Sequence, residues 1–142
     1  MRTVATLFIV SFIALAAALV GPAAQPSLVC PAEIKVEQKA GELPGGWKSF
    51  MMPSPHRWVN VIFSDGDPTK RAELAPTRKR TEKGASIETW VFDPSPAGIW
   101  LSCSYSGTSL VAAQKLPDNI RSCDVEYDKR FATPVATKVT CK

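Results

Sequence analysis

Four cysteines, Cys30, Cys103, Cys123 and Cys141, are the strongest constraint this sequence places on a fold. All follow an apolar leader. Met1-Arg2 precedes an uncharged run from Thr3 to Val20 and the small-residue stretch Gly21-Pro22-Ala23-Ala24, which is the order of a cleavable export signal. Cleavage is expected after Ala23, leaving residues 24–142 as one exported domain. An even number of cysteines in an oxidising compartment reads as two disulfides. Zinc needs close Cys or His pairs, and here the cysteines are far apart and His56 is the single histidine. No metal or cofactor is expected. Lipidation at Cys30 is disfavoured by Val29, because that processing wants a small residue there.

Loss of Arg2 with the leader leaves 16 of the 17 Lys and Arg against 13 Asp and Glu, a formal charge of about +3. That balance argues against a nucleic-acid binder, and the chain after the leader has no apolar run long enough to span a bilayer.

Periodicity points to a mainly β fold: an antiparallel meander, sandwich or open barrel. Ala32 to Gln38 alternates, with Ile34 and Val36 on one face. Trp47 to Met52 reads as a short strand. Arg57 to Ser64 is apolar on both faces and so is expected in the middle of a sheet. Residues 69–85 read as a mobile basic loop. Ser86 to Phe92, Gly98 to Tyr105, Thr108 to Lys115 and Ile120 to Asp128 are expected to follow one another as a meander. Ser106-Gly107 is a two-residue hairpin signal, and Val135 to Cys141 a last strand.

In such a meander one strand separates Cys103 from Cys123, about twice the 4.8 Å strand spacing. A disulfide spans only about 5.5 to 6 Å between Cα atoms. Excluding that pair leaves two of the three connectivities, and the nearness of the last two strands favours Cys123 with Cys141 and Cys30 with Cys103, although a crossed-over strand order would restore the excluded pair.

Candidate chemistry is sparse. His56 is the one imidazole available to activate a nucleophile, and it stands in a turn-forming Pro-Ser-Pro-His context. Asp65 with Asp67, and Glu88 with Asp93, are carboxylate pairs at turns, where acids are ordinary turn formers. Lys70, Arg71, Arg78, Lys79, Arg80 and Lys83 form a candidate anion-binding loop for lipid headgroups or an acidic partner. Trp47, Trp58, Trp90 and Trp100 are numerous enough to line a sugar-binding face, but three of them sit within strand patterns, where a large ring is more often a core anchor.

Cys30-Pro31-x-x-Ile34-x-Val36, Val59 to Phe63 with Asp65-Gly66-x-Pro68, Leu74-x-Pro76 and Trp90 begin a longer pattern. It continues as Trp100-Leu101-x-Cys103-x-Tyr105-x-Gly107-Thr108, Leu116-Pro117 and Cys123-x-Val125-x-Tyr127. This resembles a family of small, uncharacterised exported proteins of proteobacteria. The resemblance implies a periplasmic or secreted protein of a Gram-negative bacterium and transfers no catalytic or binding residue. A fainter likeness is to periplasmic lysozyme inhibitors, which implies an inhibitory loop at Ser106, Gly107 and Thr108, although no second lysine-bearing motif accompanies it. The reading is a non-enzymatic binding or envelope-associated structural module with an unknown partner. The alternative is an inhibitor of lysozyme or another cell-wall hydrolase.

Overall fold

The computed structural model describes residues 28–142, so the leader and its cleavage site lie outside the described residues. Among the described residues, eight strands form two antiparallel sheets. They are β1 (Glu33–Ile34), β2 (His56–Asp65), β3 (Arg78–Glu82), β4 (Ala85–Val91), β5 (Ile99–Tyr105), β6 (Val111–Lys115), β7 (Ser122–Asp128) and β8 (Val135–Cys141). One sheet runs β1-β2-β5-β6 and the other β3-β4-β7-β8.

Alternation along the strands decides which side chains meet. Val61 and Phe63 of β2 lie beside Cys103 and Leu101 of β5. Trp90 of β4 lies beside Cys123 of β7. All belong to one buried cluster shared by the two sheets, in which Phe63 is fully enclosed and its ring centroid lies 5.0 Å from that of Trp90 and 5.2 Å from that of Phe92. Tilted aromatic pairs at this spacing add to the burial of their area.

Both disulfides form, Cys30–Cys103 and Cys123–Cys141. The second joins register partners on β7 and β8, the neighbouring last strands. Of the expected meander only the β5–β6 pairing is present; β4 does not pair with β5, nor β6 with β7. β4 pairs with β3 and β7, and β5 with β2 and β6, so Cys103 and Cys123 are kept apart by membership of different sheets rather than by an intervening strand.

Four further expectations need correction. Within residues 69–85, Pro68–Lys70 is a short 3-10 turn and Arg78–Glu82 is a strand, so the basic stretch is not one mobile loop. Lys83 and Gly84, both at positive φ (47° and 84°), make the tight turn from β3 to β4. A lysine in that conformation carries no turn signal, whereas Asn would. The β5–β6 register runs through Ser104↔Val111, which lengthens the connection to residues 106–110 in place of a two-residue turn. Finally, residues 47–52 form no strand, and the first strand shrinks to Glu33–Ile34.

Candidate docking surface

The connection between β1 and β2 carries the least expected feature of the surface. Trp47 is 75% exposed, Phe50 and Met52 79% each, and Met51 56%. The local reason begins at Pro44: the Trp47 N–H donates to the Pro44 carbonyl at 3.1 Å, and Gly46 at φ 87° fits the third position of a type II turn, where a side chain would be strained. This turn reverses the chain and leaves Trp47 in water. Pro53 and Pro55 then keep the chain extended into β2, since proline withholds a donor from any ladder.

Two grooves flank this connection. One, of about 850 Å³, is lined by Ile34, Val36, Met51, Pro53 and Pro55 with Glu33, Lys35 and Glu37 at its sides. The other, of about 560 Å³, lies between Glu37, Gln38 and Lys39 and the hairpin residues Gly107 to Leu110. Glu37 borders both, so the two grooves adjoin.

Internal bonds hold the hairpin tip. Ser106 Oγ accepts from the Arg57 N–H at 3.1 Å, and His56 Nδ1 lies 2.7 Å from the Ser106 carbonyl oxygen. A carbonyl accepts only, so His56 must carry its proton on Nδ1 to make this bond. The imidazole is therefore engaged with a backbone oxygen instead of a hydroxyl, and His56 and Ser106 form no nucleophile–base pair. Gln38 Nε2 donates to the Gly107 carbonyl at 3.4 Å, joining the hairpin to the segment after β1. Ser106, Gly107 and Thr108 therefore stand at the same end of the molecule as His56 and Gln38.

Three of the four candidate carboxylates, Asp65, Asp67 and Glu88, are engaged in structural bonds, as is Asp124. Asp67 caps the 3-10 turn, accepting from the Thr69 hydroxyl at 2.6 Å and the Thr69 N–H at 2.8 Å, and these bonds hold its carboxyl below the usual range. Asp65 accepts from the Ser95 hydroxyl. Glu88 pairs with Lys79 at 2.5 Å. Asp124 accepts from Thr89 at 2.5 Å and from Arg80 at 3.2 Å, and chiefly the Thr89 hydroxyl, then Arg80, keeps its carboxyl low against the opposing effect of burial.

Of the six cations proposed for anion binding, Lys79 and Arg80 are thus already matched by acids, and Arg80 also meets Glu82 at 3.0 Å. Lys70 and Arg71 belong to the 3-10 turn, while Arg78 and Lys83 lie at the two ends of the β3 hairpin. Among the described residues, neither Arg78 nor Lys83 makes a salt bridge. No group of His, Cys, Asp and Glu among the described residues is arranged to hold a metal.

The tryptophans divide. Trp90 is core and donates from Nε1 to the Leu74 carbonyl at 2.8 Å; Trp58 and Trp100 are half-buried; Trp47 stands in water. An isolated aromatic next to Gly-Gly offers no period to read, which is why the sequence alone did not separate it from the other three.

A rigid pair of sheets, stapled by disulfides and presenting loops at one end, places the chain among small β proteins that offer a preformed surface. The chain belongs to the type VI secretion system Tli immunity protein family, whose model matches residues 53–142. It is also 30% identical over 122 residues to an uncharacterized 16.3 kDa protein in the trpG 5′ region of Azospirillum brasilense, covering 80% of this chain and 81% of that one. No solved structure matches it.

Proposed function

We propose that this protein binds and neutralises a type VI secretion effector in the periplasm, without catalysis, by docking it on residues 43–55 and the adjoining hairpin tip 106–110. The observation that carries this reading is the exposure of Trp47, Phe50 and Met52 on one short connection. Burying a side chain of this size is worth about 1.5 to 3 kcal/mol, which a partner gains on covering it. Aromatic and methionine side chains are also the types enriched in protein interfaces.

Family membership supplies the kind of partner. The matched segment contains β2 to β8, while Trp47 to Met52 lies just before it. The two disulfides support an envelope location, because such bonds persist in oxidising compartments. Inhibition is thus retained from the sequence reading, with an effector in place of lysozyme as the target. Ser106, Gly107 and Thr108 become one border of the docking surface.

The test is protection. Cells exporting the protein should survive attack by a strain delivering the cognate effector, and the double variant Trp47→Ala, Phe50→Ala should lose protection while keeping both disulfides and its thermal midpoint. Protection undiminished in a folded variant would place the docking surface elsewhere. Failure of the native protein to bind any delivered effector would overturn the reading.

A further inference from the structure

Four strands form the outer edges of the two sheets, and three of them are guarded against pairing with another chain. β1 has only two residues. β3 displays Arg78, Lys79 and Arg80, and β8 carries Lys138 and pairs with β7 through a register shift. Short length, charge and irregularity are the usual protections of an edge. β6 has none of these apart from Lys115 at its end: Val111-Ala112-Ala113-Gln114-Lys115 contains no proline and keeps an unbroken register with β5.

The direction of its backbone groups follows from one bond. The Leu116 N–H donates to the Ile99 carbonyl at 2.8 Å, so alternate residues Ala112 and Gln114 also turn their backbone groups toward β5. Val111, Ala113 and Lys115 turn theirs outward, to the side on which β6 has no neighbouring strand among the described residues.

We infer that β6 pairs antiparallel with β6 of a second copy about a two-fold axis at Ala113, joining two four-stranded sheets into one. In that register Ala113 meets Ala113 of the second copy, and Val111 meets Lys115 of the second copy. Every outward N–H and C=O of the three residues then finds an acceptor or donor. The axis carries only a methyl group on each side, and each lysine faces a valine. Parallel in-register pairing would instead set the two lysines together. Leu110, 53% exposed, and Val111, 43% exposed, add apolar surface at both ends of the seam. A seam this short implies a dissociation constant in the micromolar range, since stable dimers bury larger areas.

Sedimentation equilibrium of the exported, disulfide-bonded protein between about 5 and 200 µM tests this, with amide exchange as the local readout. The native chain should dimerise over that range, and the amides of Val111, Ala113 and Lys115 should exchange faster on dilution. Ala113→Pro removes the N–H at the axis from an edge position that tolerates proline, and Ala113→Lys sets two like charges on the axis. Each should weaken dimerisation by about tenfold or more while leaving both disulfides intact. The lysine variant serves if the proline variant fails to fold. A chain that stays monomeric throughout, or a dimer that survives both substitutions with these amides unprotected, would overturn the inference. So would protection of β6 that arises only when the effector is added. The first two outcomes leave the effector reading untouched, since that is tested at Trp47 and Phe50; the third would move the effector contact to β6.

Discussion

The Tyr127 hydroxyl donates to Asn60 Oδ1 at 3.1 Å, joining β7 of one sheet to β2 of the other across 67 positions of sequence. Tyr127 is nearly buried, and burial, with the Glu88 charge as a smaller cause, pushes its hydroxyl up to about 12. In the unfolded chain the same group ionises near its ordinary value of 10. Between these two values the unfolded state releases a proton that the folded state retains, so stability falls as pH rises. The expected slope approaches about 1.4 kcal/mol per pH unit. Urea unfolding from pH 8 to 12 should show it, and Tyr127→Phe should flatten the decline; an unchanged decline in that variant would assign the effect to other groups.

At the acid end the sign reverses. Asp124 is held low chiefly by the Thr89 hydroxyl and then by Arg80, so its contribution is present above the ordinary carboxylate value of 3.8 and is lost as pH falls through the lower folded value. Asp124→Asn should unfold more easily at neutral pH and show a flatter loss of thermal midpoint from pH 5 to 2 than the native chain. Parallel curves would remove Asp124 from the acid transition.

The two disulfides close loops of different length, 73 and 18 positions. In the chain-entropy account, removing Cys30–Cys103 as a pair of alanines costs about 4 kcal/mol, and removing Cys123–Cys141 about 3 kcal/mol. Denaturant midpoints of the two double variants should keep that order. The reverse order would mean that packing around Cys123, 1% exposed on β7, outweighs loop closure.

Two aromatic truncations should behave oppositely. Phe63→Ala empties the contact among Phe63, Trp90 and Phe92 and should cost about 3 to 5 kcal/mol. Trp47→Ala changes a ring that is three-quarters in water and should alter stability by about 0.5 kcal/mol or less. A large loss at Trp47 in calorimetry would make it a packing residue and remove it from the docking surface.

Much of this was legible in the residues. Period-two alternation located β2, β4, β5, β7 and β8 to within a few positions, because a half-buried strand must alternate wherever it pairs. The nearness of the last two strands also pointed to Cys123 with Cys141. β3 was hidden, since Arg78-Lys79-Arg80 has the composition of a solvated loop; Lys79 and Arg80 are accommodated in a strand by Glu88, Glu82 and Asp124, two of them on other strands. Trp47 and Phe50 were misplaced for the complementary reason, that large apolar residues are expected to be covered.

By itself the sequence determined the mainly β class, the cysteine framework and the faces of the principal strands, all of which follow from local periodicity and the chemistry of single residues. Only the tertiary structure decided that β4 joins β3 and β7 while β5 joins β2 and β6. Alternation states which face of a strand is apolar but not which strand lies beside it. That choice belongs to the shared core, where Phe63 on one sheet must reach Trp90 on the other, a contact visible to neither strand alone.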